Sequence, residues 1–394
     1  MLRKVVGKLH LWLGFASGLI VLFLAITGCI LAFQREIENA TQAYRYVDYQ
    51  PALQPLPPSR LKQIADAQLP GKKGHSVIYQ KDRAAQVVYY NLEPEYYYLA
   101  YLNPYTGEVL KVKNMEEDFF RIMIMGHYYL WLPPTIGQPI LASATLIFVV
   151  MLITGIILWW PKNKKARKQR FSIKWNAAWR RRNYDLHNVL GFYITGVILF
   201  IALSGLVMGF KWVANSVYWT ASGGKPMVEF YESFSQVPTN PVHKITSPMD
   251  QLWLNMQPEF QKITGSMEVH IPENEQSSIE VAFNPDTDTY WKTNYRYFDQ
   301  HTLKEIEVTH VYGKIANATV ADKIMRMNYD IHVGAIAGLP GKIIAFFASL
   351  FAGSLPVTGF LIWWGRRKKA RKAKAQPSKV AQTSQLVGAG FMKK

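Results

Sequence analysis

The apolar positions of the chain collect in four long runs, 11–33, 136–160, 189–210 and 343–364, and none has Asp, Glu, Lys or Arg in its interior. Each is about 20 residues or more, enough to cross a hydrocarbon core of roughly 30 Å at about 1.5 Å per residue, so the pattern predicts four membrane-spanning helices. The first run lacks a small-residue cleavage site and continues into QREIEN, which reads as a retained anchor rather than a removed signal. Between the runs the pattern changes. In the first intervening region, 59–69 reads as a short helix capped by Ser59, followed by strands at HSVIYQ, AQVVYYNL, YYYLAYL and EVLKVK. The second region follows the same plan, with a helix at 249–256 and strands at SMEVHI, SIEVAF, TNYRYF and EIEVTHVY. Stretches rich in Pro and Gln near 50–58 and 236–248 read as linkers.

Two of the apolar runs are near copies. Residues 9–33 align without gaps onto 186–210 with ten of 25 positions identical, and His10 matches His187, Gly14 matches Gly191 and Gly28 matches Gly205. The other two end alike, in Thr-Gly, three apolar residues, Trp-Trp and a basic run: Thr154-Gly155 to Trp159-Trp160, and Thr358-Gly359 to Trp363-Trp364. A unit of helix, outside domain and helix is therefore used twice, and both copies enter from the same side. That is a parallel repeat about an axis along the membrane normal. The expected fold class is an α-helical membrane protein, a four-transmembrane-helix bundle with two periplasmic α+β domains. Its expected segments are a first span at 1–35, an outside domain at 36–120, an interfacial segment and second span at 121–161, and a basic cytoplasmic loop at 162–184. The third span then covers 185–212, the second outside domain 213–322, an interfacial segment and fourth span 323–365, and a basic tail 366–394.

The net charge of +18 is one-sided. Three Lys or Arg precede His10, ten lie in 161–186 and ten follow residue 364, against the single acid Asp185. Basic flanks stay cytoplasmic, which places both termini and the middle loop inside and the loops 34–135 and 211–335 outside, in a multi-pass membrane protein. Such a distribution makes nucleic acid a remote partner; the lipid bilayer surrounds the spans, and binding of the basic segments to anionic lipid is a small addition. Cys29 is the only cysteine, so disulfides, thiolate zinc sites, cysteine-held clusters and covalent haem attachment are excluded within one chain.

Four of the nine histidines stand at span edges, His10 and His187 on the inner side, His127 and His332 on the outer. The outer pair shares a context: Arg121 and Arg326 precede by six residues, and Pro133 and Pro340 follow, as if a short interfacial helix breaks and turns into the membrane. Any one of the four reads equally as a residue tolerated by headgroups. Two per face, they match the axial ligation of two b-type haems, an inner one between His10 and His187 and an outer one between His127 and His332. Zinc fits less well, because two histidines per site leave too few ligands. At about 100° per residue, Gly14 and Gly28 return to the face of His10, and Gly191 and Gly205 to that of His187. All four spans carry a Ser/Thr-Gly pair, read either as relief where a flat macrocycle approaches or as small-residue helix packing. Arg121 and Arg326 are open to two readings, partners of haem propionates or solvated interfacial cations. His75, His243, His270, His301 and His310 read as surface or strand residues without a ligand-spaced partner. Tyr96, Tyr97, Tyr98 and Trp291 either line a ligand surface or pack, and Asn317-Ala318-Thr319 is a glycosylation sequon too short to weigh.

YLNPYTGEVL, residues 101–110, resembles the strand–turn–strand signature of the PepSY domain, with Pro104 fixing φ and Gly107 free to turn left-handed. The matching FDQHTLKEIEV of the second region has lost both. With the LHxxLGF helices and the TG…WW ends, the chain from about residue 1 to 372 resembles the PepSY-associated transmembrane family, and within it is similar to bacterial inner-membrane ferric-siderophore reductases. That resemblance implies two haems in a four-helix bundle with His10, His127, His187 and His332 as axial ligands. It further implies an electron path from a cytoplasmic or quinol donor to an external ferric siderophore, whose hard oxygen ligands hold Fe(II) less well. Two other readings stay open: a haem-free membrane regulator that binds a protease or cell-wall enzyme, and a di-haem carrier serving a periplasmic redox partner.

Overall fold

The computed structural model describes residues 1–161, 163, 164, 167, 170–239 and 247–375. Part of the basic loop (162, 165, 166, 168 and 169), the linker stretch 240–246 with His243, and the tail 376–394 lie outside the described residues. Four helices are long and apolar enough to cross a membrane: α1 (Leu2–Ala32), α5 (Pro134–Trp159), α6 (Trp179–Gly209) and a stretch Ala335–Lys369 that is mostly α10 (Gly338–Ala375). α1 and α6 begin well before their apolar runs. His10 and His187 therefore sit inside helices, on rigid backbone, rather than at frayed ends.

Short helices α2 (Gln34–Thr41) and α7 (Lys211–Ala221) follow the first and third spans, and two further helices lead into spans. α4 (Phe119–Tyr129) is capped by Asp118, whose carboxylate accepts from the Arg121 N–H at 2.9 Å, and it ends in two successive left-handed residues, Leu130 (φ 55°) and Trp131 (φ 56°), ahead of Pro133. Each such residue without glycine's freedom costs roughly 1–2 kcal/mol. α9 (Val320–His332) opens on a capping box in which Thr319 and Asp322 satisfy each other's backbone N–H, so the threonine of the sequon serves as a helix cap. Here the break that precedes the span is made by Gly334 (φ 78°) and Gly338 (φ 63°), and Pro340 falls in the first turn of α10. Left-handed Leu130 and Trp131 end the first interfacial helix ahead of Pro133; glycine breaks the chain after the second.

The regions between spans supply one sheet. β1 (Gly74–Gln80), β2 (Ala85–Leu92), β3 (Glu95–Leu102) and β4 (Val109–Asn114) come from the first, and β5 (Ser266–His270), β6 (Ile279–Asn284), β7 (Asn294–Phe298) and β8 (Glu305–Ile306) from the second. They pair antiparallel in the order β4-β3-β2-β1-β5-β6-β7-β8, so the halves expected as two domains join through β1 and β5, from Ser76 opposite His270 to Gln80 opposite Ser266. Of EIEVTHVY only two residues pair as strand. One face carries α3 (Pro58–Asp66) and α8 (Pro248–Phe260) over Leu61, Val77, Val87, Tyr89, Trp253, Met267, Val269, Ile279 and Val281, each nearly or wholly buried. Burial of each aliphatic side chain here stabilises by about 1.5–3 kcal/mol. Ser59 is not the cap of α3: it lies in the first turn, and its N–H and hydroxyl both donate to the carboxylate of Asp250 on α8. The opposite face carries a second, smaller hydrophobic cluster of Val88, Leu99, Tyr101 and Met115, and beside it Ser76, Tyr90, Tyr97, Glu268, His270, Glu280, Tyr295 and Tyr297, the strand residues set there by their two-residue period.

Two compact units divide the chain, one of residues 1–26, 147–199 and 348 onward, the other of 27–146 and 200–347 with the sheet. Each contains one of the histidine pairs.

Candidate functional site

In the first unit His10 of α1 places Nδ1 2.9 Å from the Thr154 hydroxyl of α5, and His187 of α6 places Nδ1 2.9 Å from the Thr358 hydroxyl of α10. The two imidazoles are near enough to interact electrostatically. In the second unit His127 of α4 meets the Thr27 hydroxyl of α1 at 2.8 Å, and His332 of α9 meets the Ser204 hydroxyl of α6 at 3.0 Å. Every histidine singled out in the sequence is thus held at the same ring nitrogen by the hydroxyl of one of the four Ser/Thr-Gly pairs.

A hydroxyl has one proton, and three of these hydroxyls spend it on their own helix. Thr154 donates to Met151 O at 3.0 Å, Thr358 to Ser354 O at 2.8 Å and Ser204 to Ile201 O at 2.8 Å. Their oxygens are left to accept, so Nδ1 of His10, His187 and His332 carries the N–H. For His332 a second acceptor, Ile201 O at 3.0 Å, demands the same tautomer. Nε2 then bears the lone pair, and among the described residues no group hydrogen-bonds to it in any of the four. A ring fixed through one nitrogen with the other free is how metal-ligating histidines are held.

The glycine of three pairs completes the grip. A Cβ on Gly155 would stand 3.6 Å from His10 Cε1, on Gly205 3.3 Å from His332 Cε1, and on Gly359 3.3 Å from His187 Cε1. These glycines make room for the imidazole itself, a closer partner than the macrocycle expected for Gly205. Gly14 and Gly191 face the side-chain ends of Met151 at 3.1 Å and Leu355 at 3.5 Å.

One motif escaped the sequence reading. Asn183-Tyr184-Asp185-Leu186-His187 and Asn328-Tyr329-Asp330-Ile331-His332 share the pattern NYD(L/I)H. Asn183, one turn before its histidine, donates to the Thr358 carbonyl at 3.0 Å, and Asn328 donates to the Ser204 carbonyl at 3.0 Å, so each asparagine clamps the residue whose hydroxyl holds the ring. The aspartates are buried anchors. Asp185 takes the Arg181 guanidinium and the Lys174 N–H, and Asp330 takes the N–H groups of Tyr290 and Trp291.

The two arginines sit in different settings. Arg326 is neither solvated nor open to a propionate: it is buried, and its guanidinium donates to the carbonyls of Thr293 and Gly313 beneath the Tyr295 ring. Burial lowers its pKa, the nearby tyrosines and Asp322 opposing. Arg121 lies 5.4 Å over the Tyr97 ring in a groove formed by α4 and β3, with no carboxylate partner among the described residues. Nor are all the remaining histidines bystanders. The rings of His75 and His270 are 4.9 Å apart, with Glu268 and Glu280 3.6 and 3.8 Å from His270 Nε2, where strands from the two halves of the sheet meet. Burial, with the neighbouring Glu268 carboxylate, pushes Glu280 up to about 7. His310 is buried among Phe230, Tyr231, Tyr297 and Tyr312 with neither ring nitrogen bonded among the described residues, whereas His301 bonds the Glu275 carbonyl at 2.8 Å.

Haem iron asks for two axial imidazoles and takes its other four ligands from the porphyrin. Among the described residues no three His, Cys, Asp or Glu groups are arranged to hold a bare metal ion, whereas the pairs supply two nitrogens each. The ring centres of His127 and His332 are 6.3 Å apart, close enough that the two histidines could hold one haem iron between them. In the first unit the buried donors Trp159 Nε1 and Arg182 Nε have no acceptor among the described residues, a setting that suits a carboxylate. The residues present fit the group.

No curated protein matches the chain in sequence. The family model of the PepSY-associated TM region matches residues 8–366, almost the whole chain, and the protein accordingly belongs to that family of multi-pass membrane proteins.

Proposed function

We propose that the protein is a di-haem oxidoreductase of the bacterial inner membrane that passes electrons outward to a ferric siderophore and frees its iron as Fe(II). The observation that carries this reading is the repeated clamp: four histidines, each held at Nδ1 by a Ser or Thr hydroxyl with Nε2 unbonded among the described residues, and in one pair the ring centres 6.3 Å apart. His10 and His187 would hold the inner haem, His127 and His332 the outer. A bound haem supplies one-electron redox chemistry with little structural change. The chain supplies the rest. Thr154, Thr358, Ser204 and Thr27 fix tautomer and ring orientation, and the buried surroundings exclude water. Asn183 and Asn328 keep the hydroxyl-bearing helices in register with the histidines. The basic loop and tail favour cytoplasmic termini, which leaves the sheet outside, where the acceptor arrives, and the donor inside as a reduced cytoplasmic partner or a quinol.

Pigment spectroscopy of the purified chain is the test. It should show a bis-histidine spectrum with about two haems per chain. His10→Ala and His187→Ala should remove one centre, His127→Ala and His332→Ala the other, and a ferric hydroxamate should reoxidise the dithionite-reduced protein in stopped flow. A colourless preparation from haem-replete cells overturns the reading. Reoxidation no faster than in buffer removes the siderophore and leaves a carrier to another periplasmic acceptor.

A further inference from the structure

The α4 helix that carries His127 also floors a groove that the histidine clamps do not use. Arg121, Ile122 and Met125 of α4 line it from one side, Tyr90, Glu95, Tyr96 and Tyr97 from the sheet, with Glu116 and Trp131 at its ends, around about 220 Å³. Trp131 is placed there by unusual means. Both it and Leu130 adopt left-handed backbone, its indole N–H donates to the Ile122 carbonyl at 2.8 Å, and its ring lies flat against Gly126, where a Cβ would stand 2.6 Å from Cζ2. Strained backbone at non-glycine residues persists where surrounding structure enforces it, most often at functional sites. Gly126 is the neighbour of His127, so one indole, more than half exposed, spans from the groove to the helix position beside the outer imidazole.

We infer that this groove docks the electron acceptor, and that it takes a cationic arm of it, an alkylammonium or guanidinium group. This rests on the proposed function. The rings of Tyr90, Tyr97 and Trp131 attract cations, Tyr96 turning its own ring to the core on the other face of the sheet, and Glu95 and Glu116, neither of them ion-paired among the described residues, outnumber the single guanidinium of Arg121. Arg121, stacked over Tyr97, marks one face as cation-accepting. About 220 Å³ is less than the roughly 300–1,000 Å³ of sites that enclose a whole small ligand, so an arm enters while the metal centre rests outside, against Trp131. Each turnover moves one electron from the reduced protein to the chelated iron, Fe(III) becoming Fe(II), and the released oxygen donors take protons from water.

The probes are three ferric complexes of one linear trihydroxamate: with a free terminal ammonium, with that amine acetylated, and with it succinylated. They are mixed in stopped flow with dithionite-reduced full-length protein whose two centres are verified spectroscopically. The ammonium form should have the lowest half-saturation, about tenfold below the acetylated form, and the succinylated form the highest. The Glu95→Gln/Glu116→Gln double variant, which alters nothing on α4, should flatten this order. Trp131→Ala should slow all three, and Trp131→Phe should recover most of the rate. Equal half-saturation for the three chelates, or a charge order unchanged in the double variant, overturns the groove while leaving the electron carrier intact. Failure of every chelate to reoxidise the protein overturns the carrier reading itself.

Discussion

Thr358→Val separates the role of one hydroxyl from that of the helix bearing it. Valine has threonine's shape, so packing is kept, and the Thr358 carbonyl stays in the grip of Asn183 at 3.0 Å. What is lost is the oxygen that accepts from His187 Nδ1 at 2.9 Å, and with it the bond to Ser354 O at 2.8 Å. An N–H left unpaired in a buried site costs about 1–3 kcal/mol. Loss of an outer partner of a ligating histidine weakens metal binding by about 10- to 100-fold, equivalent to about 1.4–2.7 kcal/mol, and the two routes agree. Haem titration of the apoprotein should show one site weakened by that factor, with the other unchanged. The electron paramagnetic resonance of the weakened site should broaden as the ring loses its fixed orientation. Thr358→Ser, which retains the hydroxyl, should restore both. Two sites of parental affinity in Thr358→Val, or a loss confined to the centre held by His127 and His332, would refute the assignment of Thr358 as the clamp of His187.

The other predictions probe neighbouring links. Asn328→Ala frees the Ser204 carbonyl and should weaken the His127–His332 centre several-fold in the same titration, without touching the other. Arg326→Lys removes a fork that bonds two carbonyls, and should lower the thermal midpoint in detergent by several degrees, for a loss of about 1–3 kcal/mol. Glu280 faces Glu268, His270 and His75, and its folded carboxyl is raised from the usual 4.5 to about 7. The folded state then holds the proton more tightly, so this contribution is complete below about pH 4.5 and is lost as pH rises through about 7. Glu280→Gln should therefore match the parent near pH 4 and exceed it at pH 8 by about 2 kcal/mol in thermal denaturation; a pH-independent difference would contradict the burial argument.

The four spans were legible because lipid admits only long apolar helices, and seven of the eight strands because their alternation reports a half-buried sheet. The four histidines were legible because duplication repeated them. What the sequence hid was long-range. Nothing in GHSVIYQ or SMEVH announces that β1 and β5 pair, since a strand's pattern fixes which face is buried but not which neighbour it takes. Arg326 looked like an interfacial cation because local sequence does not show that the carbonyls of Thr293 and Gly313 lie within its reach. The NYD(L/I)H repeat was visible and went unread, because it links His187 to His332 while the longer duplication had already linked His187 to His10.

The order of Ser/Thr and Gly within each pair follows from the ring they hold. In imidazole Nδ1 and Cε1 are adjacent atoms, and on a helix adjacent residues are turned by about 100°, so a hydroxyl can meet Nδ1 while the next position, stripped of its Cβ, lets Cε1 lie against the backbone. Thr358 and Gly359 do this for His187, with Nδ1 at 2.9 Å from the hydroxyl and Cε1 3.3 Å from where a Cβ would be. The Nδ1–Cε1 edge of the ring is gripped and Nε2, the next atom beyond Cε1, is left to bind. Exchanging the two residues, Thr358→Gly with Gly359→Thr, keeps composition and apolar volume yet moves the hydroxyl around the helix and sets a branched side chain against Cε1. The exchange should abolish the His187 centre as completely as His187→Ala, whereas Gly359→Ala alone, whose methyl group sits at a contact a small ring tilt relieves, should shift that centre's spectrum with partial loss. If the exchanged protein binds its haem with parental affinity and spectrum, the pair is ordinary helix packing and the clamp has no part in ligation.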